Sequence, residues 1–381
     1  MIIHTVKQGE NLKELAVRYL APLSKIAECN DLDEGDGLIP GEEILIPIAT
    51  RTYTVQGLDT VARIAKRFGI KKQALLANNP HLYGKDELKV GDVLVIKYEN
   101  ENLGTLAANG YISPSCPEIN VSRAIPYIIY GTVSGSFYDE EIRLCPGASK
   151  LSGYLTSNGR IPLLRIYDKS GGRFLNEGRE KFIDDMIKSA KENGFMGIVL
   201  AAYDADREHP DTLCDFIVAT RRKMIGCDLI FFLEGTSRTN KLSAELSDGG
   251  IISFGDTDGT SISEYENALL KYSQNAESSK ILVDIPTYAT KNGNYHPLEY
   301  ARRMCRSSGG YSTTSKDGKL SSFVLPSGEH YEYESLSNIK AKLERLPELG
   351  YMGVSFDVEN TPISYIMMLY TMFKPIGYIE L

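Results

Sequence analysis

The alternation of hydrophobic and polar positions changes period several times along this chain, and each change marks an element. Leu12, Leu15, Ala16 and Tyr19 fall at i, i+3, i+4 and i+7, which puts them on one helical face. Val61, Ile64, Ala65 and Phe68 repeat that spacing 49 residues later. The flanking stretches repeat too. His4-Thr5-Val6-Lys7-Gln8-Gly9-Glu10-Asn11 returns as Tyr53-Thr54-Val55-Gln56-Gly57-Leu58-Asp59-Thr60, and Asn30 returns as Asn79. Pro40–Pro47 returns as Val90–Ile96 with the offset grown to 50, so one residue is inserted late in the second copy. Each copy predicts strand, helix, helix, strand, with Asp59 placed to cap the first helix of copy two. A unit this short buries little apolar area and must be compact to fold.

Beyond the polar linker 99–103 the pattern becomes apolar runs separated by amphipathic ones. Strands are predicted over Thr105–Ile112, Tyr127–Phe137, Arg160–Tyr167, Met196–Tyr203, Cys227–Glu234, Gly250–Asp256, Lys280–Thr287 and Tyr351–Asp357. Helices are predicted over Phe182–Asn193, Thr212–Lys223, Ser263–Gln274 and Ser335–Leu349. Continuous apolar strands are those of a parallel sheet buried on both faces. Eight of them with helices between predict an α/β protein, a (β/α)8 barrel over residues 104–381, with a doubly wound open sheet as the alternative. A Gly- and turn-rich stretch within about 289–335 predicts a small α+β insertion carrying a hairpin.

Composition narrows the function. A net charge of −8 argues against nucleic acid and anionic lipid as partners. No apolar run is long enough to span a bilayer, and the N-terminus lacks the basic and apolar regions of a secretory signal, so synthesis without a signal peptide is expected. The six cysteines form no CxxC pair, which favours reduced thiols over a disulfide framework. His81, His209, His296 and His330 show no metal-ligand spacing, and neither a metal nor a cofactor is expected. There is no tryptophan.

The repeat resembles the LysM module, a βααβ domain that binds N-acetylglucosamine-containing glycans. The pattern YTV-QxGDTL, IA-x-x-F, N-P and L-x-x-G-x-x-L-x-I matches twice, over residues 1–49 and 50–98. Copy one departs with Glu10-Asn11 for Asp-Thr, and copy two has Leu58 where glycine is usual. The resemblance implies a sugar groove between the loop after the first strand and the loop before the last. Its residues are Gly9, Glu10, Asn11, Asn30, Leu38 and Ile39 in unit one. In unit two they are Leu58, Asp59, Thr60, Asn79, Pro80 and Leu88. The alternative is that these residues only build turns and caps. If both units engage one glycan, multivalency strengthens the binding.

The remainder resembles the spore-cortex branch of glycoside hydrolase family 18. The resemblance rests on Asn109–Pro114, Ile161–Ile166 with Ser170-Gly171-Gly172, Lys280–Tyr288, and His330–Phe356. That family hydrolyses β-1,4 bonds by substrate-assisted catalysis. Its strand-four pattern D-G-x-x-x-D-x-E, aligned on Gly197, places Met196 at the first Asp, Ala201 at the Asp that holds the acetamido group, and Tyr203 at the acid. A phenol is a poor acid for an alkoxide leaving group, and the other two cannot ionise. The family's sixth strand ends here in Ile252-Ser253-Phe254-Gly255, and Asp357 stands where the platform tryptophan is usual.

The implied protein is a binder of peptidoglycan or a related glycan with an inactive barrel. It would sit in the spore envelope (cortex or coat), be made in the mother-cell cytoplasm, and have coat proteins as further partners. Two alternatives stay open. One is an N-acetylglucosaminidase using a displaced acid, with Asp204 as the candidate. The other is a coat scaffold without glycan binding. The expected barrel pocket is formed by Tyr111, Tyr203, Glu234, Phe254, Asp256, Tyr288 and Asp357.

Overall fold

The computed structural model describes residues 1–82, 87–99, 101–113, 115–116, 118–236, 239, 241–253, 262–274, 277–315 and 320–375. In unit one, β1 (Ile2–Thr5) pairs antiparallel with β2 (Glu43–Ile46), and α1 (Leu12–Tyr19) and α2 (Leu23–Cys29) pack on the ribbon. Unit two repeats this with β3 (Ala49–Thr54), α3 (Val61–Phe68), α4 (Lys72–Ala77) and β4 (Val93–Tyr98). The periodic residues do what their spacing predicts: Leu12, Leu15, Ile26, Ile44 and Ile46 form one small core, and Val61, Ile64, Leu75, Leu94 and Ile96 the other.

The caps differ from expectation in one detail. Asn11 caps α1 by accepting from the Glu14 amide, and in unit two the equivalent Thr60 does so for Arg63. Asp59 does not cap. It lies one residue earlier and accepts from the Gln56 amide and the Tyr53 hydroxyl, a turn-closing role.

The barrel strands are β5 (Thr105–Ile112), β6 (Tyr130–Tyr138), β8 (Ile161–Asp168), β9 (Gly197–Ala201), β10 (Ile230–Thr236), β11 (Gly249–Ser253), β12 (Ile281–Asp284) and β18 (Gly353–Asp357). All pair in parallel, in the order β5-β18-β12-β11-β10-β9-β8-β6, and β5 also pairs with β6. That last ladder closes the ring and excludes the open sheet. The short β7 (Glu141–Leu144) extends β6 as a hairpin, and β19 (Lys374–Pro375) lies along β5. Helices α5 (Glu118–Ala124), α6 (Ala148–Ser157), α7 (Arg179–Glu192), α8 (Tyr203–Glu208), α9 (Pro210–Met224), α10 (Lys241–Leu246), α11 (Ile262–Ser273), α13 (Leu336–Glu348) and α14 (Ile363–Met372) follow the strands. Gly197 begins β9 because nothing larger fits: a Cβ there would lie 2.5 Å from the Ile230 side chain.

Between β12 and α13 the chain builds a five-stranded antiparallel sheet, ordered β14-β13-β17-β16-β15. Its strands are β13 (Tyr288–Lys291), β14 (Asn294–Pro297), β15 (Tyr311–Thr314), β16 (Ser321–Val324) and β17 (His330–Tyr333), with α12 (Leu298–Ser308) between β14 and β15. The hairpin seen in the sequence is the later half of this sheet.

Unit one is fastened to the barrel. Arg302 of α12 donates to Glu42 at 2.6 Å, and both are nearly fully buried. Tyr127 of the barrel donates to the carbonyl of Ala77 in unit two. The two units are joined to each other by Lys25, Glu28 and His81, with His81 Nδ1 2.9 Å from Glu28.

Candidate functional site

Side chains of a barrel strand alternate between the interior and the helix layer. Ala107, Leu163, Val199, Phe232, Ile251 and Leu282 fill the interior as an apolar layer. Part of the next interior layer is polar and fully paired: Thr132 donates to Asn109 at 2.7 Å, and Asn109 donates to Ser355 at 2.9 Å. Counting on by two brings Tyr111, Ser134, Arg165, Glu234, Ser253, Asp284 and Asp357 to the C-terminal end, where barrel enzymes hold their sites. They line a pocket of about 330 Å³ together with Tyr203 and Tyr288.

Glu234 is the centre of that pocket and is 6 % exposed. Arg165 grips it with two nitrogens, Nε to Oε2 and Nη2 to Oε1, each at 2.6 Å. The Tyr111 hydroxyl donates to Oε2 at 2.8 Å, and the Tyr203 hydroxyl donates to Oε1. Burial acts to raise the carboxyl pKa, but the hydrogen bonds and charge of Arg165, then the two phenols, hold it below the ordinary range. Burial, and then the charge of Glu234, push the Tyr203 phenol well above its ordinary pKa. A carboxylate with all its lone pairs engaged keeps no proton to donate, and this phenol does not supply one at neutral pH.

The sequence-derived positions fall as follows. Met196 precedes β9, at the end of the strand away from the pocket. Ala201 is fully buried, with no polar atom to offer a substrate. Asp204 lies on α8, half exposed, and pairs with Arg207 at 2.7 Å. Asp357 lines the pocket, and its carboxylate accepts from the amides of Glu359 and Asn360 and from the Asn360 side chain. Phe254 and Asp256 lie outside the described residues. Arg165 and Asp284 are pocket residues that the sequence reading missed. The signal for both is an ionisable residue in or closing an apolar strand, two positions after a core residue.

In the repeated units the candidate groove residues divide. Gly9, Asn11, Leu58 and Thr60 are exposed, Glu10 and Asp59 less so, and Leu38 and Leu88 are half-buried. Asn30, Ile39, Asn79 and Pro80 are buried. Asn30 donates to the carbonyls of Ile26 and Leu45 and accepts from the Leu45 amide, each at 2.7 Å. Asn79 repeats this with Leu75 and Val95. Their amides tie the second helix to the last strand, so the repetition of Asn is structural.

Residues 4–47 and 53–97 match the LysM domain model. The two N-terminal units are LysM domains. The chain is also similar to YdhD of Bacillus subtilis (strain 168), which carries the name of a sporulation-specific glycosylase. They are 32 % identical over 244 residues, covering 59 % of this chain and 56 % of that protein, so the match spans little more than half of YdhD. The spore cortex-lytic enzymes SleL of Bacillus cereus and of Bacillus megaterium QM B1551 share the fold across both chains. Each gives a TM-score of 0.73 at 18 % identity, with coverage of 98 % and 99 % of each chain respectively. A chitinase from Chromobacterium violaceum overlays on 70 % of this chain and 98 % of its own, with a TM-score of 0.63 at 11 % identity. The architecture is thus two LysM domains ahead of a barrel of the SleL and chitinase fold. Among the described residues no helix is long and apolar enough to cross a membrane.

LysM unit one carries a pH-dependent contact of its own. The Glu10 carboxylate accepts from the Lys7 amide, His4 and Arg18, at 2.8, 2.8 and 2.5 Å. The Lys7 amide is the largest cause lowering its pKa from 4.5 to about 2, with His4 and Arg18 adding to it against the cost of burial. A depressed carboxyl pKa stabilises the fold above its unfolded value, and that stability is lost as pH falls through the folded one. Thermal unfolding followed from pH 6 downward is therefore expected to show a loss of stability between about pH 4.5 and pH 2. Glu10→Gln flattens that part of the profile.

Proposed function

We propose that this chain binds N-acetylglucosamine-containing glycan, peptidoglycan above all, through its LysM domains, and that its barrel does not hydrolyse the glycan. The observation that carries the second half is the Arg165–Glu234–Tyr203 cluster. It fills the position where a family-18-type barrel needs a protonated acid, with a carboxylate kept ionised and a phenol kept protonated. The names of YdhD and SleL support a setting in the spore envelope, where coat proteins are further partners.

The test uses the full chain in two assays. Purified cortex peptidoglycan is expected to retain it. Incubation with cortex fragments or chito-oligosaccharides is expected to leave them uncut, as read by mass spectrometry of the products. Chain that stays in the supernatant overturns binding and favours the scaffold reading. A second reading, an active N-acetylglucosaminidase, is favoured by Asp284, a carboxylate that lines the same pocket and whose charge acts on the Tyr203 phenol. Products that form with the unaltered chain and vanish with Asp284→Asn would establish it.

A further inference from the structure

The two LysM units match in sequence but not in surroundings. In unit one the chain from Asp31 to Glu43, which links α2 to β2, is held by the barrel and its insertion at Asp31, at Asp36 and over residues 40–43. Asp31 accepts from Arg123 at 2.9 Å and from the Ile363 amide at 2.8 Å. Asp36 accepts from Arg306 at 3.2 Å, and Glu42 from Arg302 at 2.6 Å. The Pro40 carbonyl accepts from the Ser312 amide at 2.7 Å, and Glu43 accepts from Ser337. At Gly41 an added Cβ would lie 2.0 Å from the Ser312 carbonyl oxygen, so backbone meets backbone with no room for a ligand.

The described end of the matching segment in unit two is turned outward. Residues 87–92 are largely exposed, and the Lys89 and Gly91 amides bond back into their own unit, to Asp92 and to the Val55 carbonyl. The Gly91–Val55 bond sets Val90 beside the turn that carries Leu58. Leu58 is 88 % exposed at φ +71°, a left-handed conformation that disfavours a branched side chain, and Val90 is 74 % exposed. Two large aliphatic side chains thus stand in water on adjoining loops, one of them on strained backbone. Their unit-one counterparts are Gly9, which has no side chain, and Pro40, which is pressed against the insertion.

Exposed aliphatic side chains suit N-acetylglucosamine, whose acetamido methyl and ring C–H face pack on them. We propose that unit two alone takes the glycan, at the Leu58–Val90 edge, while the matching edge of unit one serves as the fixed attachment of the LysM pair to the barrel. This rests on the glycan-binding reading above and replaces two-site avidity with one site per chain.

Isothermal titration of the full chain with N-acetylchitohexaose tests it. One site per chain is expected. Leu58→Asp, which suits a left-handed position better than leucine does, is expected to weaken binding at least tenfold, and so is Val90→Asp. Gln8→Asp, on the exposed unit-one turn, is expected to change affinity less than twofold. Thermal unfolding of each variant shows whether the fold is kept, and either unit-two variant alone suffices. Two equivalent sites, an equal loss from Gln8→Asp, or full affinity in both unit-two variants overturns the inference while leaving glycan binding intact. No binding by the unaltered chain overturns the glycan-binding reading, and this inference with it.

Discussion

Arg165→Met is expected to cost the barrel about 3–5 kcal/mol, because it leaves the Glu234 carboxylate buried without its cation. For a domain of this size that is a fall of roughly 10 °C in the midpoint of thermal unfolding. The two phenols that remain on Glu234 cannot replace a guanidinium that supplies two charge-assisted hydrogen bonds. Glu234→Gln is expected to cost less, since Arg165 is the more exposed partner, with 20 % of its side chain accessible against 7 % for Glu234, and water can reach it through the pocket. The double variant is expected to resemble Glu234→Gln alone, because the charge that Arg165 neutralised is gone. Calorimetry on the four proteins makes a double-mutant cycle of it. Additive losses would mean that the two residues act independently, which the bidentate geometry does not allow. The same cycle bears on function. If the pair exists to hold the barrel together, its removal lowers stability without creating or abolishing glycan cleavage.

Arg302→Met is the second large effect, and it acts between domains. Arg302 and Glu42 are 6 % and 3 % exposed, and Glu299 adds a second contact to the guanidinium at 3.0 Å. Burial acts to lower the Arg302 pKa, but Glu42 and then Glu299 hold it above its ordinary value, so the guanidinium stays charged. Removing the cation strands the Glu42 carboxylate at the interface, at a cost of about 3–5 kcal/mol to docking. The expected readout is selective. Limited proteolysis is expected to cut the polar linker 99–103 faster, releasing the LysM pair, while the barrel keeps its own unfolding transition. Glu42→Gln is expected to do less, because an amide still accepts from Arg302. Salt is expected to change little in the unaltered chain, since a buried pair is poorly screened. Equal cleavage in all three proteins would show that the remaining contacts of the Asp31–Glu43 segment suffice for docking.

Much of the fold was legible because its periods are long and repeated. The i, i+3, i+4, i+7 face of α1 came back as that of α3, and both faces are cores. The eight apolar runs are the eight barrel strands, with ends shifted by a few residues where strands run into loops. The early half of the insertion was not legible. Its strands have four residues each, too few for a period of two to stand out, and α12 follows β14 without a polar break. The pocket was half legible. Tyr111, Tyr203 and Glu234 were expected there and meet there, but nothing in a linear reading says that Arg165, on a strand two away from Glu234, grips it. The LysM candidates were limited by the same distance. Asn30 and Asn79 read as groove residues on the LysM resemblance, whereas in the structure each bonds a strand 15 or 16 residues away.

The sequence by itself determined the two LysM repeats and the alternation that makes a parallel barrel. Those are local properties, set by spacing and side-chain type. Only the tertiary structure decided that Glu234 is ionised and locked, and that Asp204 faces solvent. It also decided that residues 40–43 of one LysM unit are covered while residues 87–92 of the other are largely exposed. Each depends on which residues far apart in the chain share a few ångströms of low-dielectric space, and neither charge pairing nor burial can be read along a line.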